Sequence, residues 1–217
     1  LWAVGFLLCL GSLIGADDVE AVTNLNSFPV GGVLTAAGSP YVINTDTLTV
    51  AAGTTVTIDA GVIIKMKTGL AFPVQFNVNG HLIANGTAEA PVIITSYKDD
   101  AYGGDTNGDS AGSSPAVGDW NRIIAGQSGA TVQLSYTTLR YGGSGSWGAL
   151  TLFQGGIGTV SHSTIEYAGY GIYVYSSGSE LYLSDSIIRH NGFGVYNFIG
   201  GKSDIIRSVI NNNSTGL

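Results

Sequence analysis

The 217-residue sequence is poor in cysteine, in basic residues and in helical patterning. A single cysteine excludes a disulfide framework. Eight Lys and Arg stand against 15 Asp and Glu, which argues against nucleic-acid binding because neutralising phosphates takes clustered cations. No apolar set recurs at helical spacing with capping residues, so we expect neither amphipathic helices nor a wound βαβ sheet.

Glycine, tyrosine and β-branched residues are abundant instead. The chain has 33 Gly and 11 Tyr. From Tyr41 onward it breaks into short apolar runs punctuated by glycine, such as Leu48-Thr-Val50, Val56-Thr-Ile58 and Phe76-Asn-Val78. Runs this short, bounded by turn residues, predict β-strands joined by tight turns and therefore an all-β fold.

The last third of the chain, 132–217, repeats two phrases. The last apolar residues of the first phrase step by 26, 23 and 22 positions, and they are Leu139, Ile165, Ile188 and Ile210. The second phrase steps by 23, 23 and 22, and its first residues are Trp147, Tyr170, Phe193 and Thr215. An antiparallel sandwich has no reason to repeat at this interval. A coil of about three short strands does, so we predict a parallel β-helix, or solenoid, with about 22–26 residues per coil.

The apolar run LWAVGFLLCLGSLIGA at residues 1–16 is followed at once by Asp17 and Asp18. It is short for a membrane span and ends in small residues, which predicts a secretory signal peptide cleaved after Ala16. A short membrane anchor or a buried strand is the alternative. Cys9 follows the bulky Leu8 within this run, so we do not interpret it as a lipoprotein anchor. The mature chain is therefore expected to be secreted or on the cell surface, without a membrane span.

The remaining sequence divides into two parts. We expect an irregular N-terminal segment at 17–40 and a β-helix domain at 41–217, with an insertion at 97–119 that we call the acidic loop. The first residue is not Met, and the sequence stops inside a repeat. An uncapped solenoid exposes a sheet edge, so we expect the chain to be truncated at both ends and to continue in further coils of its own.

The repeats SHSTIEYAGYGIYVYSSG and LSDSIIRHNGFGVYNF, with DTLTVAAGTTVTIDAGVIIKM nearer the N-terminus, resemble those of right-handed parallel β-helix proteins of the pectin lyase-like superfamily. The resemblance covers residues 41–217. It is specific for the fold but not for the function, because this fold hosts lyases, hydrolases, epimerases, adhesins and inert stalks. Lyases of the family use carboxylate-held calcium and a basic proton acceptor. Lys98, Arg122 and Arg140 are the basic residues near the acidic loop in sequence, and no motif selects among them.

Strand alternation assigns side chains to the inside or outside of the coils. The predicted core residues are Leu134, Leu139, Leu150, Leu152, Val160, Ile165, Ile172, Val174, Leu181, Leu183, Ile188, Val195, Ile205 and Ile210. The predicted outward aromatic residues are Phe153, Tyr173, Tyr175, Tyr196 and Phe198. These rings could form a stripe that binds a glycan or a partner, or they could simply stack on one another. Asn197 is predicted to face inward, where it would need hydrogen-bond partners.

The acidic loop contains Asp105-x-Asn107-x-Asp109, the alternate-residue spacing of oxygen ligands in calcium loops. The match is partial, since Ser110 stands where an EF-hand loop has Gly and no Glu closes the loop at its twelfth position. The loop therefore predicts Ca²⁺ bound by Asp105, Asn107 and Asp109. The alternative is a solvated loop in which Asp and Asn form turns.

Polar residues also recur at fixed places in the repeats. One set directly follows the last apolar residue of the first phrase, which predicts a ladder of alternating charge, and comprises Arg140, Glu166 and Arg189. A second set lies nearer the start of that phrase and comprises Tyr136, His162, Asp185 and Arg207. His162 beside Asp185 is the candidate catalytic pair, although no nucleophile accompanies it and a surface stack of side chains is the alternative.

Three functions remain open from the sequence. The first is a non-enzymatic surface module: a spacer, an adhesin stalk or a glycan-binding domain that uses the outward aromatic residues. The second is a polysaccharide-active enzyme, a lyase or hydrolase, with a groove beside the acidic loop. The third is a purely structural repeat in a larger surface protein.

Overall fold

A computed structural model of the chain describes residues 22–29 and 32–217. Strands dominate this part of the chain and form three sheets, which we call A, B and C. The strands of sheet A are β1 (Thr23–Leu25), β3 (Tyr41–Ile43), β6 (Ile63–Met66), β9 (Val92–Ser96), β12 (Thr137–Arg140), β15 (Thr164–Glu166), β18 (Ile187–Arg189) and β21 (Val209–Asn211). The strands of sheet B are β2 (Val33–Leu34), β5 (Thr55–Asp59), β8 (His81–Asn85), β11 (Thr131–Ser135), β14 (Ile157–Ser161), β17 (Glu180–Ser184) and β20 (Lys202–Ile206). The strands of sheet C are β4 (Thr47–Val50), β7 (Gln75–Val78), β10 (Arg122–Ala125), β13 (Gly148–Phe153), β16 (Tyr170–Tyr175) and β19 (Phe193–Phe198).

From β4 onward, the chain visits the sheets in the order C, B, A and then begins the next coil. Every strand pairing found in the described residues is parallel and joins neighbouring coils. Leu139 pairs with Ile165, Ile165 with Ile188 and Ile188 with Ile210. The repeated phrases therefore lie directly above one another, and the predicted parallel β-helix is confirmed, with about seven turns.

One hydrophobic core runs through the stacked coils. Twelve of the fourteen predicted core residues are buried, and the other two, Ile205 and Ile210 in the last coil, are partly buried and pack against the core. The largest fully buried side chain is Trp120, whose indole Nε1 donates to the Arg140 carbonyl at 2.9 Å. The hydrogen bond satisfies the one polar atom of that ring, as burial requires.

In the last four coils, each turn from sheet B to sheet A contains one residue in the left-handed conformation. The φ angles are 44°, 50°, 51° and 47° at Tyr136, His162, Asp185 and Arg207. Such φ values cost energy in residues other than glycine, so neighbouring contacts must hold the corner. Hydroxyls provide them, because Ser163 Oγ accepts the backbone N–H of Thr137 at 3.0 Å and Ser186 Oγ accepts that of Ser163 at 3.1 Å.

In the turns that follow sheet A, asparagine side chains form hydrogen bonds to backbone groups of neighbouring coils. Asn191 is 3% exposed, and its Oδ1 accepts the backbone N–H of Ala168 at 2.9 Å. Its Nδ2 donates to the Ile165 carbonyl at 3.1 Å and to Asn213 Oδ1 at 3.0 Å. Asn213 in turn donates to the Ile188 carbonyl at 2.9 Å. Stacked amides therefore satisfy buried backbone groups from coil to coil.

The β-helix begins earlier than the sequence predicts. The segment expected to be irregular, 17–40, contains β1, which pairs with β3, and β2, which pairs with β5. A 3₁₀ turn at Ala36–Gly38 lies between β2 and β3. Strands of two or three residues are too short to show alternation, although Leu25 and Leu34 are buried in the core. The predicted signal peptide at 1–16 lies outside the described residues. Within them, no helix is long and apolar enough to cross a membrane.

The inward position predicted for Asn197 is confirmed by the strand register, but the residue is not buried. Its backbone pairs in register with the buried Val174, but Asn197 itself is exposed. It lies in β19, the last strand of sheet C in the described residues, so no strand covers it from above. Its Oδ1 accepts a hydrogen bond from Ser203 Oγ at 2.7 Å, and no buried network forms around it.

Candidate functional site

The outward aromatic residues lie on sheet C, in the coils of β13, β16 and β19. We call the surface formed by Trp147, Phe153, Tyr173, Tyr175, Tyr196 and Phe198 the aromatic face. Strand register places Tyr175 between Phe153 and Phe198, and it pairs Tyr173 with Tyr196. Phe198 is 41% exposed, and the remaining rings are half-buried.

The rings of one column turn their faces toward one another. The centroid of Tyr175 is 5.1 Å from that of Phe153 and 5.6 Å from that of Phe198, with interplanar angles of 17° and 14°. Offset stacking of this kind stabilises neighbouring coils. It also covers both faces of the Tyr175 ring, so this column presents chiefly ring edges to solvent.

A depression opens beside that column. It has a volume of about 380 Å³ and is lined by Ser146, Trp147, Tyr173, Tyr175 and Phe198. The rings of Trp147 and Tyr173 are 6.3 Å apart and tilted by 44°, so they do not cover one another as the stacked column does. Burial and the neighbouring tyrosines raise the pKa of Tyr173, which keeps its hydroxyl protonated at neutral pH. Aromatic walls with hydroxyl groups suit a ligand that has both C–H and O–H surfaces.

Arg122 contacts Trp147, one of the residues that line this depression, and the sequence did not single it out for the aromatic face. Its guanidinium carbon is 3.8 Å from the Trp147 ring centroid, and its Nε donates to Gln75 Oε1 at 3.2 Å. Its Nη1 is buried without a hydrogen-bond partner. Burial lowers the pKa of Arg122. No repeat links Arg122 to Trp147, 25 positions later, so the sequence offered no signal for their contact.

The predicted charge ladder forms on the outer side of sheet A. Glu166 Oε1 is 3.4 Å from Arg140 Nε, and Glu166 Oε2 accepts a hydrogen bond from Arg189 Nε at 2.9 Å. Arg140 Nε also lies 3.7 Å from Asp99 Oδ2 in the acidic loop. Burial opposes the charge of Arg140, but Asp99, Tyr141 and Glu166 outweigh it and raise its pKa. Arg140 therefore stays protonated, which disfavours it as a proton acceptor.

The candidate catalytic residues His162 and Asp185 lie at the corner between sheets B and A. The His162 ring stacks on Tyr136 at a centroid distance of 4.6 Å. Both carboxylate oxygens of Asp185 accept hydrogen bonds from Arg207, each at 2.6 Å. Those bonds lower the pKa of Asp185. The arrangement is a surface stack of corner residues, and its catalytic role stays a prediction.

Two aspartates hold the ends of the acidic loop. Asp99 is 3% exposed and accepts a hydrogen bond from Thr95 Oγ1 at 2.5 Å. Asp119 accepts hydrogen bonds from Ser96 Oγ at 2.6 Å and from Lys98 Nζ at 2.8 Å. These contacts close the loop onto the end of β9, where it lies beside the charge ladder.

The middle of the acidic loop brings three carboxylates together. One oxygen each from Asp100, Asp105 and Asp109 lies within 4.8 Å of the others. The predicted calcium ligands Asp105 and Asp109 are thus close, and Asp100 joins them. Asn107 instead uses Nδ2 to donate to Asp109 Oδ2 at 2.9 Å. The pKa of Asp100 is raised by burial and by the charges of Asp105 and Asp109, against the effect of Lys65.

Comparison with known proteins gives one family. A family model described as a pectate-lyase-like beta helix domain matches residues 32–180, from just before β2 to the start of β17. No curated protein and no solved structure gives a significant match.

Proposed function

Because this chain belongs to the pectate-lyase-like beta helix family, we propose that it is a β-helix module whose aromatic face binds a carbohydrate chain. The family establishes the scaffold, and a scaffold of this kind serves many functions. The proposal therefore rests on the site. One observation carries it: the depression of about 380 Å³ lined by Trp147, Tyr173, Tyr175 and Phe198.

The chemistry of this depression fits a sugar better than a purely apolar ligand. Aromatic rings pack against the C–H surface of a pyranose, while Ser146 and the two tyrosines offer hydroxyls to its O–H groups. The guanidinium of Arg122 stacks on Trp147 and supports the position of that ring. Clustered half-exposed rings of this kind generally mark a contact surface.

The position of the rings also fits a polymer. Sheet C runs through successive coils, so neighbouring rings repeat along the solenoid at the coil spacing of ~4.7–4.9 Å. A linear glycan lying along this axis would meet a ring at each coil from β13 to β19. Such a module belongs outside the cell, where polysaccharides are exposed, and we include secretion or surface display in the proposal.

The test is affinity electrophoresis of the full chain against a panel of neutral and acidic polysaccharides. For a polysaccharide that retards the wild-type protein, Trp147→Ala and Tyr173→Ala should each weaken binding roughly fivefold to tenfold, because each removes one ring contact. Tyr182→Ala is the matched control. It removes a tyrosine that is 46% exposed on sheet B and should leave affinity unchanged.

The outcomes separate the functions. Retardation that falls in the Trp147 and Tyr173 variants alone supports the proposal. Failure of every polysaccharide to retard the chain, or an equal loss in the Tyr182 variant, would refute it.

A second candidate is a polysaccharide-active enzyme, and Arg122 is the observation that favours it. Of the basic residues near the acidic loop, Arg122 contacts Trp147 of the aromatic face and has its pKa lowered by burial, whereas the pKa of Arg140 is raised. A group whose pKa is lowered gives up its proton more readily. Incubation with the same panel tests this candidate, since new unsaturated or reducing ends that disappear in Arg122→Ala would indicate lyase or hydrolase activity.

A further inference from the structure

The acidic loop lies beside the Arg140 end of the charge ladder, and its middle holds three negative charges at close range. Oxygens of Asp100, Asp105 and Asp109 lie within 4.8 Å of one another. Like charges repel, so the three carboxylates oppose one another, although backbone N–H groups within the loop donate to Asp105 and Asp109 and offset part of this repulsion. Lys65 Nζ reaches the loop from β6 and donates to the Gly104 carbonyl at 2.6 Å, but it is one positive charge against three negative ones.

A second observation is independent of the charges. Thr106 is 8% exposed, and its Oγ1 is buried without a hydrogen-bond partner. Asp100 Oδ1 and Asn107 Oδ1 are also buried and without a partner. Buried polar atoms are nearly always satisfied, yet three unsatisfied oxygens occur within eight consecutive residues of one loop. All three can act as electron-pair donors, which is what a bound cation requires.

We propose that the acidic loop is a calcium-binding site in which Asp100, Asp105 and Asp109 supply the charged ligands and Thr106 and Asn107 supply neutral oxygens. Calcium binds six to eight hard oxygens at ~2.3–2.6 Å, so ligands on opposite sides of the ion lie up to about 5 Å apart. The carboxylate oxygens all lie within 4.8 Å of one another, so one ion can contact all three. Magnesium demands near-ideal octahedral geometry and gives up its water reluctantly, so an irregular loop of this kind suits it less well.

Calcium would fix the loop in place against sheet A. Tyr97 Oη donates to the Thr106 carbonyl at 2.9 Å, and Asp99 at the start of the loop faces Arg140. The ion would therefore join a segment without strands to the charge ladder of the solenoid. The site lies beside sheet A rather than on the aromatic face, so the test of calcium binding is independent of the test of glycan binding.

Isothermal titration calorimetry measures calcium binding to the full chain. Thermal unfolding in CaCl₂, MgCl₂ or EDTA then measures the effect of each ion on Tm. With a dissociation constant of about 0.1–1 mM, 10 mM CaCl₂ should raise Tm by about 3–10 °C over EDTA. MgCl₂ at the same concentration should raise Tm much less. Asp100→Asn and Asp109→Asn should each weaken calcium binding at least tenfold.

Asp204→Asn is the matched control, because it removes one carboxylate from the exposed face of β20 and should bind calcium like the wild type. The far-ultraviolet circular dichroism of each variant checks that it folds. The proposal is overturned if millimolar calcium neither binds nor raises Tm, if magnesium acts equally well, or if the Asp100→Asn/Asp109→Asn double variant retains wild-type affinity.

Discussion

Ile165 and Ile187 show at the residue scale how the coil repeat decides burial. They lie in adjacent strands of sheet A, but Ile165 is fully buried and Ile187 is 38% exposed. The difference follows from alternation, since Ile187 pairs with the outward Thr164 and Ile188 pairs with Ile165. The same residue type thus fills the core at one position and faces solvent at the other.

Replacing Ile165 with Ala should lower the free energy of unfolding by about 2–5 kcal/mol, because a rigid stack of coils cannot close the resulting cavity. Ile187→Ala, the matched control, should change it by less than about 1 kcal/mol. Urea unfolding followed by circular dichroism measures both values. Equal losses in the two variants would show that the inward and outward sets are wrongly assigned.

At the corners between sheets B and A, the backbone conformation is the same whatever the side chain. Tyr136, His162 and Asp185 share a left-handed conformation although their side chains differ completely. The sequence suggested a catalytic role for His162 and Asp185 because an imidazole beside a carboxylate can transfer protons. Their common feature in the structure is the bend between sheets B and A, which the recurring hydroxyl at the next position stabilises.

At the level of strands and turns, Asn191 and Asn213 form a ladder of amides in the turns that follow sheet A. This ladder joins neighbouring coils where strand pairing has ended. Asn191 serves the Ala168 N–H and the Ile165 carbonyl, two backbone groups of the coil below. The ladder continues to Asn213 in the coil above. Hydrogen bonds therefore join neighbouring coils at this turn as well as along the strands.

Asn191→Ala should lower the free energy of unfolding by roughly 2–6 kcal/mol, because it leaves two backbone groups without partners at about 1–3 kcal/mol each. Asn197→Ala is the comparison, since that amide is exposed and bonds only to Ser203 among the described residues. Its loss should be small. Chemical denaturation of both proteins measures the difference, and a mild effect at Asn191 would mean that water replaces the amide.

The elements also show which features the sequence could predict. Regular repeats predicted β12 to β21, because each coil imposes the same spacing and the same alternation on its residues. The short strands β1 and β2 carry too few residues to show a pattern. Trp120 fills the core directly after a loop without repeats, so no periodic position identified it.

Candidate sites were less predictable than strands. Outward aromatic residues followed from alternation, but the contact of Arg122 with Trp147 depends on how one coil sits over the next. Asp105 and Asp109 followed from spacing within the loop. Asp100 joins them through the path of the loop in three dimensions, which no local spacing encodes.

On the scale of the whole molecule, the coils are stacked in register. A column of outward residues on sheet B records this stacking, with Thr57 paired to Ile83, and Gln133, Thr159, Tyr182 and Asp204 following in successive coils. The aromatic face, the charge ladder and the loop on sheet A all take their positions from this arrangement.

Distances along that column show whether the coils are stacked in this order. In a Cys9→Ser background, nitroxide labels would be attached to Thr57→Cys with Tyr182→Cys, and to Thr57→Cys with Asp204→Cys. Four and five coil steps of ~4.8 Å place the backbones about 19 and 24 Å apart. Double electron–electron resonance should therefore give a longer distance to position 204 than to position 182, by about 5 Å. Equal distances, or a shorter distance to position 204, would contradict the stacked solenoid.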